Sequence, residues 1–280
     1  MISPRHVGLR SVVIAALFAG TGLVFAGGLF GRSGTSAKPA EQKTRRTPAR
    51  TELRARPAEA PRPFAAGEKL EYRVLWSQFS VKAATVRLSV IARRPFYGRE
   101  AWHFQALART IDTMRIVFPL DDQFDSYSEP ASLASLQYEM YLSENGKQEN
   151  ASYRMTTDAD PAPGSGAAVR VLPGTRDPIG FLYYVRTVDW SRTKEIRSAV
   201  FDGRKLYEVR ARLEADRSQV SVPAGDYTAS RIEVRVYERG QELAGTLFWV
   251  SLAHDAGRTP VLLEAEIPFG SARVELAHKE

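Results

Sequence analysis

Beyond its first segment the chain has three histidines, His103, His254 and His278, and it has no cysteine. That narrows the chemistry sharply. Without cysteine there is no thiol nucleophile, no thiolate metal site, no disulfide framework and no acylated cysteine. None of the histidines is paired at i, i+2 or i, i+4 with a second ligand, as a zinc site built on one element requires. His103 falls on the polar side of an alternating run and is expected at the surface or in a lumen. Asp121, Asp122, Asp125 and Glu129 form the densest acidic cluster, but they lack the alternating Asp/Asn spacing and central glycine of a calcium loop. A solvated strand edge is the expectation there. No Gly-x-Ser-x-Gly elbow occurs, no serine stands in a recognisable context with a histidine, and there is no Gly-rich phosphate loop. Carboxylate pairs for glycoside chemistry meet only in the fold, so sequence does not exclude them. The residue types therefore name no catalytic group, no metal and no cofactor, and a non-enzymatic role is the expectation. What remains is binding chemistry: Trp76, Trp102, Trp190 and Trp249, among other aromatics, could line a hydrophobic or sugar-binding pocket or simply pack a core.

The elements that would position those rings read as strands. Period-two alternation runs through Leu70, Tyr72, Val74 and Trp76, then Ala84, Val86, Leu88 and Val90, then Trp102, Phe104, Ala106 and Ala108. It returns at Tyr207–Leu213, Ile232–Val236, Val261–Ile267 and Ala272–Leu276. Turn signals separate the runs at Pro95–Gly98, Asn145-Gly146, Asp202-Gly203, Pro223–Gly225, Asp255–Gly257 and Pro268–Gly270. Long strands at hairpin spacing predict a mainly β fold, a curled antiparallel sheet or a half-open or closed barrel, since a large flat sheet leaves open edges. One segment departs from this. Asp177-Pro178 is a capping carboxylate followed by proline at the first helical position, and this role accounts for Asp177 without catalysis. Phe181, Tyr184, Val185 and Val188 follow at i, i+3, i+4 and i+7, predicting one amphipathic helix over about 178–188, packed on the concave face. The stretch from Asp158 to Gly174, rich in Pro, Gly and Ala, reads as a loop.

The first 63 residues carry the address and most of the charge. Residues 1–31 hold Arg5 and Arg10 and no acid, and Ser11 to Phe30 is an uncharged apolar run of 20 residues. That is long enough to span a bilayer. Four glycines weaken it as a permanent helix, and Val24-Phe25-Ala26 suits cleavage. Residues 1–31 are therefore a signal peptide or an N-terminal membrane anchor. More Lys and Arg lie after the run than before it, which for an uncleaved anchor would place the domain in the cytoplasm. Residues 32–63 form a basic, Pro/Ala-rich linker expected to be disordered, with nine basic residues against three acids. Removing the +2 of 1–31 and the +6 of 32–63 from the chain's +7 leaves residues 64–280 near −1. The single β-rich domain, 64–280, thus lacks the basic footprint of a nucleic-acid binder. The linker instead suits an anionic membrane or envelope surface, each basic residue contributing roughly 1 kcal/mol there.

Several segments together resemble a bacterial exported family, domain of unknown function 3108. They are Phe118-Pro119-Leu120-Asp121-Asp122-Gln123-Phe124-Asp125-Ser126-Tyr127, Asp177-Pro178 with Tyr183-Tyr184-Val185-Arg186, and Phe201-Asp202-Gly203-Arg204-Lys205. Val222-Pro223-Ala224-Gly225-Asp226-Tyr227 and Thr259-Pro260-Val261 complete the set, in order, over about residues 66–278. The resemblance implies an exported, envelope-associated β-rich domain with no established activity and no catalytic residues to carry over. Gly180 departs from the better helix former that such proteins often have at that place. The expectation is a periplasmic protein, free or tethered to the inner membrane. Its function is that of a binding module holding a lipid, another hydrophobic ligand or a glycan inside the curled sheet, with Tyr72, Trp76, Trp102, Phe104, Phe181 and Tyr184 as the candidate inner-face contacts. The competing expectation is a structural or assembly factor acting through protein–protein contacts. A hydrolase of envelope polymers is the least supported.

Overall fold

The structure, a computed structural model, describes residues 61–76, 81–116, 118–157, 167–267 and 270–280. The expected leader or anchor and nearly all of the basic linker lie outside these residues. In chain order the elements are β1 (Lys69–Trp76), β2 (Val81–Phe96), β3 (Arg99–Thr110), α1 (Asp112–Arg115), β4 (Asp121–Ser128), β5 (Ser135–Glu144), β6 (Lys147–Thr156) and β7 (Ala167–Arg170). They continue with α2 (Pro178–Thr187), β8 (Glu195–Phe201), β9 (Leu206–Val222), β10 (Gly225–Glu238), β11 (Gln241–Ala253), β12 (Pro260–Ile267) and β13 (Gly270–Lys279). All thirteen strands belong to one sheet, in the order β7-β6-β5-β4-β3-β2-β1-β13-β12-β11-β10-β9-β8.

Hairpin turns set the registers. At Tyr97-Gly98 and Asn145-Gly146 both central residues have positive φ, the left-handed geometry whose twist matches that of the flanking strands. Phe96 then faces Arg99, and Glu144 faces Lys147. Because the side-chain period is two, these registers stack the apolar sets in rows. Leu70, Tyr72 and Val74 oppose Leu88, Val86 and Ala84 on one side. On the other, Tyr72 and Val74 oppose Leu276 and Val274. The rows continue through Phe104 and Ala106 on β3 and through Val250 and Leu263 on β11 and β12, giving one buried core. The β1–β13 pairing joins the first and last described strands, which no local turn could encode.

The sheet curls without closing. Its edge strands are β7 and β8, and residues 174–177 lie between the two ends. Ser135 of β5 donates its N–H to Thr175, while Arg176 exchanges backbone hydrogen bonds with Ala199 and Phe201 of β8. Two details correct the sequence reading. The sheet is not wholly antiparallel, because β7 pairs parallel to β6. Part of the expected loop is thus a strand, Ala167–Arg170, completing the edge of β6 where Met155 meets Val169.

The helix starts where expected. Asp177 Oδ1 accepts the Gly180 N–H at 2.8 Å, and Trp190 and Arg258 satisfy carbonyls at the other end. It is more buried than a striped surface helix. Pro178 through Tyr183, Val185 and Arg186 are all buried, and only Tyr184 and Thr187 are not. It packs on β3, β4 and β8 as a plug in the core. A second, single-turn helix, α1, connects β3 to β4 and contributes nothing to the core. Among the described residues no helix is long and apolar enough to cross a membrane.

Candidate functional site on the inner face

Three of the six candidate contacts, Tyr72, Phe104 and Phe181, are fully buried, and Trp102 is nearly so. Tyr184 is half-buried under the Arg176 guanidinium, 3.5 Å from its ring centre. Trp76 ends β1 half-buried and only partly packed on the core. The fold therefore brings Trp102 and Phe104 together and leaves Trp76 and Tyr184 at the margin.

Two residues that sequence reasoning did not single out complete the centre. Phe64 lies in the segment before β1 and packs edge-on against Trp102 (5.3 Å), Phe104 (5.5 Å) and Tyr183 (5.1 Å). Phe104 and Tyr183 stack face to face at 3.9 Å. Burying a phenylalanine in such a seat contributes about 2–3 kcal/mol. Beside it, Arg186 of α2 is fully buried and forms a two-pronged pair with Glu68, at 2.6 and 2.8 Å. It also donates to the carbonyls of Pro63 (3.0 Å) and Gly257 (2.8 Å). Burial alone would lower the Arg186 pKa, but the Glu68 hydrogen bonds outweigh that and hold it above the ordinary value. Burial pushes the Tyr72 and Tyr183 hydroxyls up, with Arg186 partly opposing in both. Tyr72 donates to the Pro260 carbonyl at 2.8 Å. A signal for Arg186 was present, as a cation directly after the apolar run Phe181–Val185, but its partner 118 positions away was not legible.

A second inner cluster fixes the helix start. Asp177 Oδ2 accepts from Ser126 and Ser135, each at 2.5 Å. Burial raises the Asp177 pKa, and these hydroxyls with the helix N–H groups only partly offset it. A Cβ on Gly180 would sit 3.0 Å from Ser135 Oγ and 3.1 Å from Ser128 Oγ. The glycine departs from good helix propensity because the serine hydroxyls need that space.

Two expectations about polar residues fail. His103 is not exposed, and the acidic segment is not a solvated edge, since Asp122 and Asp125 are buried. On β3 and β4, His103 and Asp125 face outward on adjacent strands, and His103 Nε2 lies 2.6 Å from Asp125 Oδ1. Gln105 (3.0 Å) and Gln123 (2.6 Å) donate to the same carboxylate. Burial works to raise the Asp125 pKa, but the hydrogen bonds from His103, Gln123 and Gln105 outweigh it and hold it low. Tyr127 stacks on His103 at 4.5 Å and on Phe96 at 4.2 Å, covering the network.

The fold also joins a serine to a histidine. Ser230 Oγ is 2.9 Å from His254 Nε2 and donates to Asp216 Oδ1 at 2.8 Å. The same Nε2 is 3.1 Å from Asp216. A hydrolase relay needs serine on one ring nitrogen and the acid on the other. Here both share one nitrogen and the hydroxyl already donates to the acid, so the trio is not a relay. No group of three or more His, Asp or Glu among the described residues could hold a metal ion.

On the outer face an open groove of about 480 Å³ runs across β3 to β6, lined by Leu107, Arg109, Gln123, Tyr141, Gln148 and Asn150 among others.

The family described as "Protein of unknown function (DUF3108)" matches residues 71–277. No curated protein matches the chain. Among solved structures, a beta-barrel-like protein of domain of unknown function DUF1849 from Brucella abortus is 9% identical, with TM-score 0.48, covering 76% of this chain and 96% of that one. An exported protein with a YmcC-like fold from Bacteroides fragilis is 9% identical, with TM-score 0.37 and coverage of 78% and 98%. A lipoprotein from Parabacteroides distasonis is 8% identical, with TM-score 0.38 and coverage of 78% and 97%. At these scores the likenesses carry no argument about site or function.

Proposed function

We propose that this chain, which belongs to the DUF3108 family, is an exported cell-envelope binding module that holds a lipid, another hydrophobic ligand or a glycan on the inner face of its curled sheet. One observation carries the reading. An unclosed sheet concentrates Trp102, Phe104 and Tyr183 on its inner face, with Phe181 in the same core, where the helix and the segment before β1 meet it. The sheet is stitched at residues 174–177 rather than closed by a full ladder, so a few backbone hydrogen bonds join its ends there. Tyr72 extends the inner surface toward β13, and Trp76 and Tyr184 stand at its margins. Residues 1–31 supply export or an inner-membrane anchor. The basic linker adds attraction to an anionic membrane or envelope surface that fades within a Debye length. Nucleic acid is not a partner on this reading, because the basic charge lies outside the folded part.

The test is native mass spectrometry of the protein purified from an exporting host, with organic extraction of whatever accompanies it. A reproducible lipid or glycan adduct supports the container. A bare mass that persists after challenge with envelope extract argues for the second reading, a structural or assembly factor acting through protein–protein contacts. The outer groove favours that alternative, because Tyr141 is exposed there beside Gln148 and Asn150.

A further inference from the structure

We infer that the ring of Phe64 occupies a ligand seat, and that a single acyl chain ending in an oxygen acceptor takes its place. The inference rests on the container reading and locates its entrance.

Three observations support it. Phe64 is the one buried residue between positions 61 and 69, flanked by exposed Ala65, Ala66 and Gly67. Its seat is aromatic on three sides, formed by Trp102, Phe104 and Tyr183. Strand-like pairing begins just beyond it, where Gly67 and Glu68 exchange hydrogen bonds with Val90. Gly67, at φ +95°, is thus a natural pivot between an arm, 62–66, and the sheet. Outside the seat the arm's side-chain hold is at Arg62, which donates to the carbonyls of Pro130 and Ala131.

Two residues that form the seat also carry polar atoms without a hydrogen bond. Trp102 Nε1 is buried without a hydrogen-bond partner, and the Tyr183 hydroxyl makes no well-formed bond although Arg186 stands close. A buried donor left unpaired costs stability, so each such atom calls for a reason. Arg186 would keep Glu68 if the arm swung out but would lose the Pro63 carbonyl. The vacated site would then present an apolar slot ended by a guanidinium N–H, with an indole N–H and a phenol at its walls. That is the complement of an acyl chain with a carboxylate or ester head. A free fatty acid and the chain of a lysolipid share this chemistry.

While the arm is seated, a ligand sees only the fraction of molecules in which it is out, so freeing the arm raises apparent affinity by the inverse of that fraction. The test titrates the full chain with stearic acid brominated at mid-chain and with a lysophospholipid carrying the same chain, following tryptophan quenching. Phe64→Ala vacates the seat, and Arg62→Ala releases the arm while leaving the lining intact. Each variant should bind at least one probe tenfold or more tighter than the parent, and Trp102→Phe should abolish most of the quenching. Preference for the acid or for the lysolipid identifies the source. Should Phe64→Ala fail to fold, Arg62→Ala carries the test alone. Folded variants that bind no tighter than the parent overturn the seat. If all bind equally and quenching ignores Trp102, the ligand lies elsewhere and the container reading survives; if none binds and the native mass is bare, both fall.

Discussion

The two faces of the sheet use the same kinds of polar residue in opposite ways. Outside, Asp125 is surrounded by His103 and Gln105 on the neighbouring strand and by Gln123 two residues away on its own. Every partner lies within the reach of strand register. Inside, Arg186 meets Glu68 and the carbonyls of Pro63 and Gly257, none of them on its own helix. The outer network can lose one member and keep the others. Beyond Glu68, Arg186 is met by the Pro63 and Gly257 carbonyls and by the Phe64 and Tyr183 rings, none of which carries a compensating charge. The contrast teaches that register builds tolerant polar networks, whereas a helix plugged into a core must bring a matched charge from far along the chain. The inner pair should therefore be the brittle one.

The largest effect should come from breaking that pair. Arg186→Met leaves the Glu68 carboxylate buried without its partner and should cost about 3–5 kcal/mol. Adding Glu68→Met should restore much of the loss, since apolar replacement of a whole buried pair is often close to neutral. Urea denaturation of the single and double variants reads both; a single variant within about 1 kcal/mol of the parent would end the comparison.

A smaller effect is expected at Gly180. On an open helix Gly→Ala stabilises by about 1 kcal/mol. Here the new methyl meets Ser135 and Ser128, so Gly180→Ala should show no gain or a loss, and Ser128→Ala beneath it should recover part of the gain. Thermal unfolding of the two variants decides whether the serine cluster explains the glycine.

Two of the buried aspartates, Asp125 and Asp177, sharpen the contrast through pH. Asp125 has a lowered carboxyl pKa, so its contribution is full above the unfolded value near 3.9 and is lost as pH falls through the folded value. Asp177 has a raised one, so its contribution is full below the unfolded value and is lost as pH rises through the folded value. Asp125→Asn should therefore flatten the loss of stability as pH falls below the unfolded value. Asp177→Asn should steepen the acid side by removing the opposing trend. Denaturation at stepped pH separates them, and parallel profiles for both variants would contradict the assignment.

Least of all should follow from the exposed outer pair Arg109–Asp121, 3.3 Å apart. Arg109→Ala should stay within about 0.5 kcal/mol of the parent by urea denaturation.

Alternation at Leu70–Val74, Ala84–Val90 and Trp102–Ala108 was enough to specify strands, their buried sides and the curled sheet, because period two is a property of the local backbone. The Asp177-Pro178 start was equally legible, since capping needs only residues within one turn. Asp121–Ser128 was misjudged because its charges disguise a strand buried on both faces, and its sequence does not announce that Tyr127, Gln123 and Gln105 of β3 will cover Asp125. The pairing of β1 with β13, the seat that receives Phe64 and the choice of Glu68 for Arg186 all join residues distant in sequence. Composition and strand periodicity are written locally and could be read directly. Which aromatic fills which seat, and which carboxylate meets Arg186 inside, was decided only when the sheet curled and removed water from between them.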